Sequence, residues 1–366
     1  MLSLCILSAA SLWAAPAEDT FALRATQVHI GDGTVLLDAF VVVEGDKIKS
    51  VGQSAPGDVR IVDVDGQIAP GFIALGETTG ASGENRESAR KSTPLADLSH
   101  AFDPHHPGWK PLVAQGVTTV LMTADSSRIA GGLATLVSPA RGEVVQRGVA
   151  LTLGLSSRSL SLTEEPTSYA GLYDHVTSAF EGAADGSPLA RARAGELPVM
   201  IEALTRMEVL RAAGFAKEMG LSGAIVGAPK ADETLDVLRD AGLGVVFEPL
   251  RPGGSDDVVD SAMALAEAGV PFAFASDAAS AGPAAIRMTL GACTRGGLDA
   301  KTALKAVTGS AAEIAGVGDT HGTIAGGKAA DLVVWSGDPA DLTSRVRAVY
   351  AAGELVHEAE ERGAGR

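Results

Sequence analysis

The texture of the chain changes twice along its length, and that constrains its fold more than any single residue does. From Phe21 to Val64 it reads as short β-branched runs broken by turn residues: ATQVHIGDGTVL, DAFVVVEGDKIKSVG and VRIVDVDG. Gly-Asp-Gly at 31–33 and Glu-Gly-Asp at 44–46 supply the turn chemistry between them, so this segment is all β. From Ile68 to about Ile314 short apolar runs alternate with helical stretches. The runs include VTTVLMT at 117–123, VALTLGL at 149–155, PVMIEAL at 198–204, GAIVGAP at 223–229, LGVVFEP at 243–249 and VPFAFASD at 270–277. Strands alternating with helices predict β/α units and a parallel sheet. Gly220, Gly242 and Gly269 each follow an apolar-periodic run, where a helix wants a left-handed C-terminal cap. After Gly316 the β texture returns in GTIAGGKAADLVVWSGDP and RVRAVYAAGELVHE. The chain therefore begins and ends in β structure around one β/α body.

Its 366 residues suffice for a sizeable core, and 46% hydrophobic content argues against disorder. The formal net charge of −16 would repel phosphate backbones and anionic lipid, so no nucleic-acid partner is expected. MLSLCILSAASLWAAPA at 1–17 is uncharged, apolar from Leu2 to Ala15, and ends in a small-residue pattern suited to signal peptidase. It predicts an exported protein, periplasmic or secreted. No other segment approaches the roughly 18 consecutive apolar residues of a membrane span. Removal of the leader would take Cys5 with it and leave Cys293, expected as a small buried apolar residue.

The residues at the seams of this layout resemble the amidohydrolase superfamily of metal-dependent hydrolases. Ile68-Ala69-Pro70-Gly71-Phe72-Ile73 resembles the PGxID motif that opens its barrel, and Gly322 to Val334 resembles its closing GxIxxGKxADLVV. Between them, Gln115 to Val120 resembles its GVTTV element, and Gly296-Gly297-Leu298 with Ala303 to Thr308 its GL…ALxxxT element. The four matches fall in order, cover about residues 21 to 357, and are nearest to the imidazolonepropionase-like branch. The resemblance implies a TIM-like (β/α)8 barrel over 68–322, with a small composite β-sandwich formed by both terminal segments, 18–67 and 323–360.

It also implies a site of zinc or another divalent metal at the C-terminal mouth of the barrel, held by side chains converging from several strand ends. Carried over, the first-strand His-x-His falls on Gly76 and Thr78, a later His on Glu202 and the next on Gly227; the terminal Asp is retained as Asp277. Gly and Thr offer no comparable nitrogen, so these positions are not expected to hold a zinc-type ion, and no cofactor is expected. No His occurs between His175 and His321, so moving the register by one residue restores none.

Of the other histidines, His105 and His106 sit in a Pro-bounded turn and read as a solvated loop, with His100 nearby as a weak further member of any cluster. His29, His175, His321 and His357 read as surface or packing residues. Carboxylates are the stronger candidates. Glu77, Glu202, Glu248 and Asp277 fall at or just after strand ends, where a barrel gathers functional groups, although each could simply bond a loop amide or an arginine. Arg251, beside Pro252-Gly253-Gly254-Ser255, is a candidate contact for an anion. The tract from Leu160 to Glu196 is the expected place for a fourth strand, since seven are recognisable elsewhere.

The expectation is thus a family member that has lost metal-dependent hydrolysis and binds a small molecule in the old mouth or pairs with an intact relative as an oligomer. Asp277 would be its vestigial catalytic residue, and Glu77, Glu202, Glu248 and Arg251 its candidate binding residues. The alternative is an active hydrolase of non-peptide C–N bonds, such as those of cyclic amides, working through a rebuilt carboxylate site.

Overall fold

In the computed structural model of the chain the described residues are 20–81, 87, 89–250 and 256–359. The segment 1–17 expected as a leader, Arg251 and residues 252–255 lie outside them. Five strands open the chain: β1 (Thr20–His29), β2 (Val35–Glu44), β3 (Lys47–Gly52), β4 (Arg60–Asp63) and β5 (Gln67–Pro70). The body follows with β6 (Phe72–Glu77), β7 (Val117–Met122), β8 (Ala130–Ser138), β9 (Glu143–Gly154), β10 (Val199–Ala203), β11 (Gly223–Gly227), β12 (Leu243–Phe247) and β13 (Phe272–Phe274). Strands β14 (Leu332–Trp335), β15 (Val346–Ala351) and β16 (Glu354–Glu358) end it.

Strands β6 to β13 pair in sequence order, and a parallel bridge between Leu75 and Ala275 brings the two edges of the sheet together into a nearly closed barrel. Ile73, Leu121, Met200, Ala224 and Ala273 fill its interior. Ala311, Ala312 and Ile314, from the helix Gly309–Ile314, join the same buried cluster. The opposite faces of the strands pack against helices in a larger cluster that includes Phe180, Phe215, Phe247 and Phe274. Gly220, Gly242 and Gly269 cap their helices at φ of 69°, 66° and 68°, as their positions in the sequence require.

The barrel departs from a purely parallel order at one strand. β8 runs antiparallel to both β7 and β9, because only a short turn containing Gly142 joins it to β9, and no helix carries the chain back across the sheet. The eighth strand is therefore Ala130–Ser138. The tract from Leu160 to Glu196, where a strand was expected, forms the helices Tyr169–Glu181 and Pro188–Arg193 instead. Gly131-Gly132 disguises β8 as a turn. Both glycines are needed for backbone approach: a Cβ on Gly131 would lie 2.6 Å from the Asp125 carbonyl, and one on Gly132 2.6 Å from that of Ala96.

The two terminal segments form one hydrogen-bonded sheet in the order β16-β15-β14-β5-β1-β2-β3, with β4 pairing alongside β1. β5 and β14 at its centre are antiparallel neighbours from opposite ends of the chain. Phe72 of the barrel stacks on Trp335 of β14 at 5.2 Å between ring centroids, with the Arg287 guanidinium over the indole at 5.1 Å.

Asp331 ties the units further. Its carboxylate accepts Thr119 Oγ1 of β7 at 3.0 Å and the Ala352 amide, in the turn before β16, at 2.8 Å. Removing a carboxylate that satisfies two such donors costs about 1–3 kcal/mol. Asp331→Ala is therefore expected to lower the unfolding free energy by that amount in urea titration, whereas an unchanged midpoint would show the contact to be solvent-compensated.

Candidate functional site

A cavity of about 610 Å³ opens at the C-terminal ends of the barrel strands. Strand alternation decides which side chains reach it. Gly76 and Thr78 face it from the end of β6, while Glu77, between them, points the other way. Gly76 adopts φ +67° at a break in the β6–β7 register, and a Cβ there would meet only Ala275 Cβ, at 3.8 Å. The cavity thus occupies the space that a side chain at position 76 would fill.

Glu77 is 0% exposed and fully engaged: it accepts the amides of Thr78 at 3.0 Å, Thr79 at 2.8 Å and Ala278 at 2.8 Å. It joins the end of β6 to the segment after β13 and so fastens the top of the barrel. Of the four carboxylates singled out in the sequence, the cavity brings together Glu202, Glu248 and Asp277 and leaves Glu77 out.

Glu202 faces the cavity from β10 and is 4% exposed. One of its oxygens accepts Ser156 Oγ at 2.6 Å; the other accepts Ser126 Oγ and, at 3.1 Å, Arg158 Nη1. The same guanidinium nitrogen lies 3.7 Å from Glu248 Oε1, at the end of β12. A chain of alternating charge, Glu202–Arg158–Glu248, therefore lines one wall. Asp277 stands at the opposite side of the barrel seam with φ +41°, and its Oδ1 accepts Ser280 Oγ at 2.9 Å. On β11 the residue facing the cavity is Val226, paired in register with Glu202. Gly227 is turned away, where a Cβ would meet Leu204 Cδ2 at 2.8 Å. Of the two, Val226 and not Gly227 is the one that reaches the cavity.

Sequence reasoning missed Ser126, Thr152, Ser156 and Arg158. Period-2 alternation in Val149 to Leu155 would have put Thr152 on the inward face, and Ser156 and Arg158 follow the same strand end. Their loop is anchored from outside by Glu208, which is 1% exposed. Glu208 accepts the Ser157 amide at 2.7 Å, Tyr169 Oη at 2.5 Å, and the Leu204 and Thr205 amides at 2.8 and 2.9 Å. Burial alone would raise its pKa, but these hydrogen bonds outweigh it and hold the carboxyl below the ordinary glutamate value.

The donors at the mouth do not fit a zinc-type ion. Such an ion needs three or four nitrogen, sulfur or carboxylate donors converging within about 2.0–2.3 Å of one point. The positions carried over are Gly76, Thr78, Gly227, Glu202 and Asp277; β11 shows the cavity only Val226, and both oxygens of Glu202 are engaged by two hydroxyls and a guanidinium. No histidine lines the cavity among the described residues, and none of their His, Cys, Asp and Glu groups forms a cluster of three that could share an ion. His105 and His106 stay in their turn, with His106 Nδ1 accepting the Gly108 amide at 3.1 Å. Cys293 is fully buried, and burial pushes its thiol up to about 12, so it stays protonated. Arg251 lies outside the described residues.

Comparisons agree with this architecture. An amidohydrolase from Thermotoga maritima MSB8 superposes with a TM-score of 0.81 at 21% identity, over 93% of this chain and 100% of that one. An A. niger ochratoxinase superposes at 0.58 and 15% identity, over 94% and 97% of the two chains. A segment of 118 residues, 31% of this chain, is 37% identical to an imidazolonepropionase of Paracidovorax citrulli (strain AAC00-1), spanning about a quarter (26%) of that relative. The sequence profile of the amidohydrolase family matches residues 117–357. With the profile covering most of the chain, and with the barrel and the sheet from both termini in place, this protein belongs to the amidohydrolase family.

Proposed function

We propose that this chain is a non-hydrolytic member of its family that binds a small molecule in the mouth of the barrel. The observation that carries the reading is the state of Glu202. At a position where the family resemblance implies a metal ligand, the carboxylate is held by Arg158, Ser126 and Ser156. A guanidinium at 3.1 Å fills the electrostatic role of a cation without supplying an activated water. The cavity itself remains open, at a volume typical of small-molecule sites, roughly 300–1,000 Å³. A C–N hydrolase with a rebuilt carboxylate site would need two carboxyl groups poised over one substrate, whereas Glu202 and Glu248 are both paired with Arg158 and Glu77 faces three amides outside the cavity. The apolar leader supports export of the protein to the periplasm or beyond.

Metal analysis tests this directly. Protein purified from cells supplied with zinc, manganese and iron is expected to carry well under one equivalent of each. Stoichiometric metal, or turnover of a cyclic amide that Asp277→Asn abolishes, would overturn the reading.

A further inference from the structure

The chemistry of the cavity wall identifies the kind of molecule it would hold. Among the described residues the lining carries four carboxylates, Asp125, Glu202, Glu248 and Asp277, against one guanidinium, Arg158. That guanidinium already contacts two of the carboxylates, so the wall offers no uncompensated positive charge to an anion. Acidity alone would mark only a solvated rim. A second feature lies deeper: Thr152 lines the cavity, is 3% exposed, and its hydroxyl has no hydrogen-bond partner among the described residues. A buried hydroxyl left unpaired is costly, and a ligand atom reaching it relieves that cost. Thr152 pairs with Met200, two residues deeper along the barrel than Glu202, and Met200 at this level with Val226 and Val246 at the level of Glu202 gives the cavity an apolar wall.

We propose that the mouth binds a small organic cation: an ammonium group at the carboxylate rim, an apolar body against Met200, Val226 and Val246, and a polar atom hydrogen-bonded to the Thr152 hydroxyl. This rests on the non-hydrolytic reading above and narrows it to one class of ligand. Rim carboxylates attract a cation modestly in water, and the attraction weakens as salt screens it.

Calorimetric titration with isosteric probes tests it. The full chain is titrated with 4-hydroxyphenethylammonium, 2-(4-hydroxyphenyl)ethanol and 4-hydroxyphenylacetate, which differ chiefly in charge. The ammonium is expected to bind at least about tenfold more tightly than either of the others, with an advantage that shrinks as salt is raised from about 0.05 to about 0.5 M. Glu248→Gln, at a half-exposed position tolerant of substitution, is expected to weaken the ammonium about threefold. Thr152→Val preserves shape and removes the unpaired hydroxyl, so it is expected to keep or raise the melting temperature while erasing the preference for 4-hydroxyphenethylammonium over phenethylammonium. Equal or tighter binding of the carboxylate or the alcohol, or no ammonium binding up to about 10 mM, would overturn the cation site and leave the non-hydrolytic reading standing. Stoichiometric metal would sink that reading whatever the probes do.

Discussion

Glu208→Ala is expected to destabilise the protein by about 3–5 kcal/mol, the range for stripping a buried charged acceptor from its donors. Four donors converge on this carboxylate: three backbone amides and the Tyr169 hydroxyl. Arg211, over the Tyr169 ring at 4.6 Å, carries only donors and cannot replace the lost acceptor. In a chain of this size the loss corresponds to a fall of about 4–7 °C in Tm. The effect should also reach the site. Glu208 fixes the Ser157 amide, and the residues on either side, Ser156 and Arg158, are the ones that hold Glu202. Thermal unfolding by circular dichroism measures the first effect; a drop below about 1 kcal/mol would mean that water satisfies the four donors.

Acid should act through the same group. Its folded pKa lies below the ordinary glutamate value, so its contribution is complete above the unfolded pKa and is lost as pH falls through the folded one. Wild-type stability is therefore expected to fall more steeply below about pH 4.5 than that of Glu208→Gln, which has no proton to gain. Parallel profiles for the two proteins would contradict the assignment.

Gly154→Ala is the second large effect, expected at about 3 kcal/mol because the clash is with backbone rather than with a side chain able to swing away. A Cβ at Gly154 would stand 1.9 Å from the Ser126 carbonyl, 2.3 Å from Ser159 Oγ and 2.6 Å from the Arg128 carbonyl. Relief requires the Ser126–Arg128 loop to leave β9, which would take Ser126 Oγ away from Glu202. Gly214→Ala is the matched control. It lies in the helix Arg206–Met219, its Cβ would meet nothing within 4 Å, and alanine there should stabilise by about 0.5–1 kcal/mol. Equilibrium denaturation of the pair should give opposite signs; a neutral Gly154→Ala would show the loop to be free to move.

The β texture at both ends, the alternation of strands and helices between them, and the glycine caps were all legible in the linear chain. Each depends on side-chain periodicity or on the φ preference of one residue, and both are local properties. That positions 76, 78 and 202, where the family resemblance implies imidazoles, carry Gly, Thr and Glu was legible for the same reason, since residue type needs no coordinates. β8 was not, because Gly131 and Gly132 carry the marks of a turn and their true cause is close backbone approach by Asp125 and Ala96.

The site divides in the same way. That carboxylates gather at strand ends could be read from the sequence; what each carboxylate touches could not. Glu77 and Glu202 have the same chemistry and similar burial, yet one is tied to amides that include Ala278, 201 residues away, and the other to serines and an arginine 44 to 76 residues away. Only closure of the barrel brings those partners within reach. The chemistry of a buried charge is set by the few groups within about 3 Å of it, and folding, not order along the chain, selects those groups.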